Sequence, residues 1–167
     1  AGVFSAWIDD WSWLANSANP FPSTLNFAIG ETELAVTLDS VTPWVLNGNN
    51  GYSQKSGQGQ ASYYYSQPHI RVSGNVTHNQ EVIPLKGHAW LDREWSSQPL
   101  SANQQGWDWF SLHLKSGEAL MVYRLRQTDE RHWLSGSWVK PNGKSQPLGP
   151  DDIVLTELAR QRIDAGK

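Results

Sequence analysis

The 167-residue chain has no cysteine, a single methionine and no run of basic residues. Without cysteine there are no disulfides, no thiol nucleophile and no thiolate-bound zinc. Thirteen Lys and Arg against sixteen Asp and Glu leave a formal charge of -3. Because phosphate binding needs clustered cations, no nucleic-acid partner is expected. No apolar stretch approaches the ~18 residues of a membrane-spanning helix. His69, His78, His88, His113 and His132 stand apart, with no H-x-H or H-E-x-x-H spacing, so neither a metal nor a cofactor is expected. Also missing are a phosphate-cradling glycine loop, a G-x-S-x-G elbow, βαβ spacing and any internal repeat.

What the chain does have is tryptophan, ten residues of it. An indole brings a large apolar face and one N–H that needs a partner when buried, so it suits thick cores and ligand-lined cavities alike. Alternation of apolar and polar residues dominates the rest. It predicts strands over Ser5–Leu14, Leu25–Ile29, Glu33–Ser40, Ala61–Ser66, His69–Val76, a stretch from Ile83 to Trp95, Trp107–Leu114, Ala119–Gln127, His132–Val139 and Ile153–Leu158. Turns fall at Gly30-Glu31, Pro68, Thr77–Gln80 and Lys140–Lys144, and Thr156–Ile163 is the one helical candidate. Asn47–Gln60, almost wholly Asn, Gly, Ser and Gln around Tyr52 and Lys55, reads as a long loop that buries little. About nine strands joined by hairpins predict an all-β, antiparallel barrel or sandwich in one domain over 1–167.

Chemistry concentrates in Gly87–Trp95 (Gly-His-Ala-Trp-Leu-Asp-Arg-Glu-Trp) and Gly106–Phe110 (Gly-Trp-Asp-Trp-Phe). Four tryptophans there, Trp90, Trp95, Trp107 and Trp109, are interleaved with Asp92, Arg93, Glu94 and Asp108. An unpaired buried charge costs several kcal/mol, so these charges either pair or line a cavity. On the first reading Arg93, Arg124 and Arg126 close ion pairs with the carboxylates. On the second, Asp92, Glu94 and Asp108 are acid–base groups tuned by apolar surroundings, with Asp92 and Glu94 on one face roughly 7 Å apart. Tyr63, Tyr64 and Tyr65 divide between two faces by alternation, and any of them can pack, bind a ligand or donate a proton.

Four motifs in order, Ala61–Pro68 (Ala-Ser-Tyr-Tyr-Tyr-Ser-Gln-Pro), Gly87–Trp95, Gly106–Phe110 and Leu120–Arg126 (Leu-Met-Val-Tyr-Arg-Leu-Arg), resemble the AttH-like branch of the carotenoid 1,2-hydratase superfamily. The resemblance covers essentially the whole chain and implies a lipocalin-like β-barrel, here an internal portion of a longer two-barrel protein. It implies a hydrophobic small-molecule ligand, isoprenoid, lipid or acyl, and either a hydratase- or hydrolase-type enzyme with Asp92 as acid or a non-catalytic carrier. Glu94 or Asp108 would orient the acid. Trp90, Trp95, Trp107, Trp109, Tyr65, Tyr123, Arg93, Arg124 and Arg126 would bind the ligand. An extracytoplasmic location, periplasmic, secreted or lipoprotein-anchored, is also implied, with membrane association through a preceding segment.

Where the hydratases of that superfamily resemble Tyr-His-Asp-His-Asn-Trp, this chain keeps Asp92 and Trp95 but places Leu91 and Arg93 at the two histidine positions. Arg93 stays protonated at any working pH, which leaves it to bind an anion or to pair with Asp108. An unpaired barrel edge predicts a homodimer. Small-angle scattering of the purified chain should give a dimer mass, and a monodisperse monomer would contradict it.

Overall fold

The computed structural model describes residues 2–97, 100–128 and 131–161. It is all-β and antiparallel, as expected for a lipocalin-like barrel or sandwich. The twelve strands are β1 (Ser5–Ile8), β2 (Trp11–Ala15), β3 (Ser23–Ile29), β4 (Thr32–Asp39), β5 (Val45–Leu46), β6 (Tyr52–Gln54), β7 (Ala61–His78), β8 (Glu81–Trp95), β9 (Gln104–His113), β10 (Ala119–Gln127), β11 (Trp133–Val139) and β12 (Ser145–Leu148). The first eight form one sheet and the last four another, ordered β12-β11-β10-β9.

The first sheet is organised around β7. Its C-terminal half pairs with β4, its N-terminal half pairs with β5 and β6 along the same edge, and β8 follows almost its whole length on the other edge. Asn79 and Gln80, both with positive φ, close the β7–β8 hairpin. Two residues in the left-handed region match the twist of the flanking strands, and an Asn tolerates that region best after glycine.

Pro68 does not turn the chain. Between the pairs Gln67–Leu91 and Ile70–Ala89, two residues of β7, Pro68 and His69, face one of β8, Trp90, and the strand runs on through this bulge. The bulge absorbs the amide that Pro68 lacks and switches the parity of the strand. Tyr65 and Gln67 before it lie on the same face as Ile70 and Val72 after it. That face meets one core, in which Phe21, Val36, Leu38 and Ile70 pack with Trp13, Leu25, Leu85, Ala89 and Leu91. The opposite face carries Tyr64 and Trp90 into a second core with Met121, Tyr123 and Leu125 of the other sheet. Trp90 also covers a third cluster of Val45, Ala119 and Val139.

Three further expectations are corrected. Ser5–Leu14 is a hairpin, β1 and β2, with Asp9 at φ 51° in the turn and Ile8 opposite Trp11. The turn switches parity, setting Trp7 with Ser12 and Ile8 with Trp11, whereas the sequence alternation runs straight through Asp9 and Asp10 and so reads as one strand. The last strand is not Ile153–Leu158 but β12, an edge strand in which Pro147 is tolerated opposite Ser137. Residues 153–161 have no regular structure, Val154 and Leu158 being exposed. The helical candidate is therefore absent over 156–161, and its last two positions lie outside the described residues.

Gly74 of β7 lies against β4 so closely that a Cβ there would sit 2.2 Å from the Ala35 carbonyl oxygen and 2.7 Å from the Val36 Cα. Both are backbone atoms held by their own ladder, and neither can yield as a flexible side chain would. Gly74→Ala should lower unfolding free energy by about 1–3 kcal/mol, as overpacking does, measured by urea denaturation.

Candidate functional site

A cavity of about 250 Å³ opens between the sheets at the N-terminal end of β7, where Ser62 and Tyr64 meet Glu94 and Trp95 of β8 and Trp107 and Trp109 of β9. Alternation decides which side chains reach it. On the β9–β10 ladder Trp107 pairs with Leu125 and Trp109 with Tyr123, and all four line the cavity. Asp108 and Arg124 pair between them and so project from the other face.

The polar end of the cavity is built on Glu94. Its Oε1 accepts from Lys55 Nζ at 2.6 Å and from Ser62 Oγ at 2.5 Å. Lys55 arrives on the chain after β6 and is largely buried. Its ammonium stands 4.2 Å from the Tyr123 ring centroid and 5.1 Å from that of Tyr64, so two aromatic faces share the cation with Glu94. The loop is held from several sides. Ser53 Oγ is 3.1 Å from the Tyr123 hydroxyl, that hydroxyl donates to the Gln54 carbonyl at 3.3 Å, and Gln104 Nε2 donates to the Lys55 carbonyl at 2.8 Å.

Tyr64 forms the inner wall. Trp109 Nε1 donates to its hydroxyl oxygen at 3.2 Å. Burial first, then the charge of Asp92 and a hydrogen bond to it, hold the phenol far above its ordinary pKa, against the opposing effect of Trp109. Tyr64 is therefore a neutral phenol and cannot serve as a base.

Asp92 lies behind this wall rather than in the cavity lining. It ends a buried chain of donors running through β11, β5's exit and β7. Ser137 Oγ donates to Asn47 Oδ1 at 2.8 Å, Asn47 Nδ2 to Ser66 Oγ at 2.8 Å, and Ser66 Oγ to Asp92 Oδ1 at 2.5 Å. Asn47, Ser66 and Ser137 are all buried.

Thus the structure brings Glu94, Trp107, Trp109 and Tyr123 to one cavity, leaves Trp95 at its border with the indole ring turned onto Tyr63 and Tyr65 of the far face, and sets the other sequence candidates elsewhere. Trp90 packs inside the second core, its Nε1 buried without a partner among the described residues. Tyr65 packs edge-on to Trp44 and Trp95 on the far face. Arg93 is exposed and is not the partner of Asp108. That role belongs to Arg124, at 2.6 Å, and to Arg126.

Lys55, Ser62, Leu100 and Gln104 were not candidates from sequence. The signal for Lys55 was present, since it is the single charged residue in Asn47–Gln60. That segment was expected to bury little, yet it contains β6 and buries Asn47, Ser53 and Ser56. Asn47 and Ser53 go under because each has a hydrogen-bond partner, which offsets the cost of removing an amide or hydroxyl from water. Outside the cavity, His69 is pushed below its ordinary pKa by burial, with His113 and His88 adding to the shift against a hydrogen bond to the Lys140 carbonyl. Among the described residues no group of His, Asp and Glu is arranged to hold a metal ion.

The family model described as AttH-like matches residues 1–167. Among solved structures, an AttH-type protein from Nitrosomonas europaea superposes with a TM-score of 0.75 at 37% identity, covering 88% of this chain and 46% of that one. Kievitone hydratase from Nectria haematococca superposes at 0.65 with 19% identity over the same shares, a likeness of fold alone. A kievitone hydratase from Fusarium solani subsp. phaseoli is 28% identical over 83 residues, 47% of this chain and 23% of that protein. The chain thus spans about half the length of the solved relatives.

Burial alone would raise the Asp108 carboxyl, but Arg124 and Arg126 outweigh it and hold the group below its ordinary pKa. A depressed carboxyl stabilises the fold above its unfolded pKa and loses that contribution as pH falls through the folded value. Asp108→Asn should therefore cost about 1 kcal/mol near neutrality. The difference from wild type should shrink below about pH 4, as followed by thermal melts across the acid range.

Proposed function

Starting from the fact that this chain belongs to the AttH-like family, we propose that it binds a small hydrophobic molecule between its sheets and adds water to it. The reading is carried by one observation, the Lys55–Glu94 pair at the polar end of a cavity walled by Tyr64, Trp107, Trp109 and Leu125. Indole walls accept an apolar or unsaturated body, and few polar groups at one end set its direction. The hydratase-like fold shared with the kievitone hydratases supports the reaction class.

Hydration places the oxygen of water on one carbon of a double bond and a proton on the other. A single carboxylate that takes the proton from water as the C–O bond forms, and then returns it to the neighbouring carbon, balances the reaction. Glu94 is that group. Lys55 beside it supplies a fixed positive charge for negative charge developing on the substrate, which suits a double bond polarised by a conjugated oxygen. Asp92, set behind Tyr64, does not meet the reacting atoms in this scheme.

A carrier without catalysis is the second reading. It is favoured by the fact that Lys55 and Ser62 both already donate to Glu94, so that the pair is satisfied without a substrate. The two readings separate in 18O-labelled water with kievitone as the probe. Wild type should incorporate label into the hydrated product, and Glu94→Gln should lower the rate roughly 10²–10⁴-fold while quenching of tryptophan fluorescence by the probe persists. Quenching without label in wild type would establish the carrier. Undiminished incorporation in the variant would remove Glu94 from the mechanism.

A further inference from the structure

The donor chain behind the cavity fixes protons one at a time. Ser137 has one hydroxyl proton, and it is spent on Asn47 Oδ1. The Asn47 side chain is thereby oriented with Nδ2 toward Ser66, whose oxygen it occupies. Ser66 has one proton, and it goes to Asp92 Oδ1. At the end of the chain Asp92 receives and does not give.

Tyr64 is the next group outward. It pairs across the ladder with Glu94, while Ser66 pairs with Asp92, so Tyr64 and Asp92 are diagonal neighbours on one face of the sheet, within reach of a long side chain. Trp109 Nε1 already donates to the Tyr64 oxygen, so the hydroxyl proton cannot lie along that line. Of the two carboxylates on this face, Glu94 already accepts from Lys55 and Ser62, while Asp92 accepts from Ser66 alone among the described residues, which makes Asp92 the acceptor for the Tyr64 proton. Both Tyr64 and Trp109 line the cavity, and the oxygen they share by that hydrogen bond keeps a second lone pair. Glu94, directly opposite Tyr64 on the ladder, is likewise an acceptor, and the nearby donors Lys55 and Ser62 are both turned to it.

We infer that Asp92 is a positioning residue that turns the Tyr64 proton into the wall, so that the cavity selects unsaturated or aromatic molecules carrying a hydroxyl donor over otherwise identical molecules lacking one. The inference rests on the reading of the cavity as an apolar-ligand site. It differs from a structural role for Asp92 in what it says about ligand choice. A buried Asp that merely satisfied Ser66 would leave the preference between two such ligands unmoved.

The test uses a matched pair of probes, 2-naphthol and 2-methoxynaphthalene, with dissociation constants read from quenching of tryptophan fluorescence. Wild type should bind the naphthol about tenfold more tightly, as one hydrogen bond to a desolvated acceptor gives. In Asp92→Asn, the amide oxygen still accepts from Ser66 and the amide nitrogen donates to Tyr64, which sends the phenol proton into the cavity. The preference should then vanish or invert.

Tyr64→Phe, which leaves Asp92 and its relay in place, should abolish the preference as well and serves if the Asp92 variant does not fold. Equal affinities in wild type, or an unchanged preference in either folded variant, would overturn the inference while leaving the cavity reading intact. Failure of wild type to bind either probe would overturn the cavity reading and the inference with it.

Discussion

The ladder between β7 and β8, from Tyr63 opposite Trp95 to His78 opposite Glu81, is the constraint on which the other elements depend. A strand has two faces, and this pair needs both. One face packs on Val36 and Leu38 of its own sheet and on Phe21 from the connection before β3, the other on Met121, Tyr123 and Leu125 of the second sheet. The bulge at Gln67–Ile70 makes the arrangement workable, because it lets residues of opposite parity in β7 share a face. The freed groups at the bulge are taken up by neighbours. Gln67 Nε2 donates to the Thr42 carbonyl at 2.9 Å, Thr42 Oγ1 donates to Gln67 Oε1 at 2.8 Å, and the Pro68 carbonyl lies 2.7 Å from His113 Nε2 on β9. The kink in the ladder is thus also a polar tie between the sheets.

Much of this was legible in the residues. Leu85, Ala89 and Leu91 against Trp90 is a period-two signal, and the structure sends the two sets to two cores. Which charges meet was not legible, because ion pairing is decided by ladder register and alternation only fixes the face. Asp108 and Arg124 are directly opposite on β9 and β10, a fact that no pattern within either strand contains. Arg93, the nearer residue in sequence, lies on a strand that has no ladder with β9. Tyr65 and Tyr64 were indistinguishable by composition, and the bulge four residues on decides how that face is used.

Asn47–Gln60 shows a different limit. Its composition argued for solvent, on the sound ground that it has little apolar surface to bury. Burial here is purchased with hydrogen bonds instead. Asn47 joins β7 to β11 through Ser66 and Ser137, and Ser53 meets Tyr123. Such partners lie 19, 90 and 70 residues away in sequence, so they are visible only in three dimensions. The site is half strand and half loop for that reason: its aromatic walls could be read from alternation, and its cation could not.

That division has a consequence for how such a cavity changes over time. The indole walls belong to β9, whose reverse face is occupied by the ion pairs of Asp108 with Arg124 and Arg126 of β10, so a substitution there is felt on two sides at once. Lys55 belongs to a segment whose anchors, Ser53, Gln54 and Gln104, hold main chain or hydroxyl and leave the lysine side chain to Glu94 and the rings. Its replacement would recast the charge at the foot of the cavity while leaving both sheets in register. Volume and polarity are inherited through separate parts of the chain, which lets one scaffold be handed a new ligand by exchanging a single residue of a glycine- and serine-rich loop.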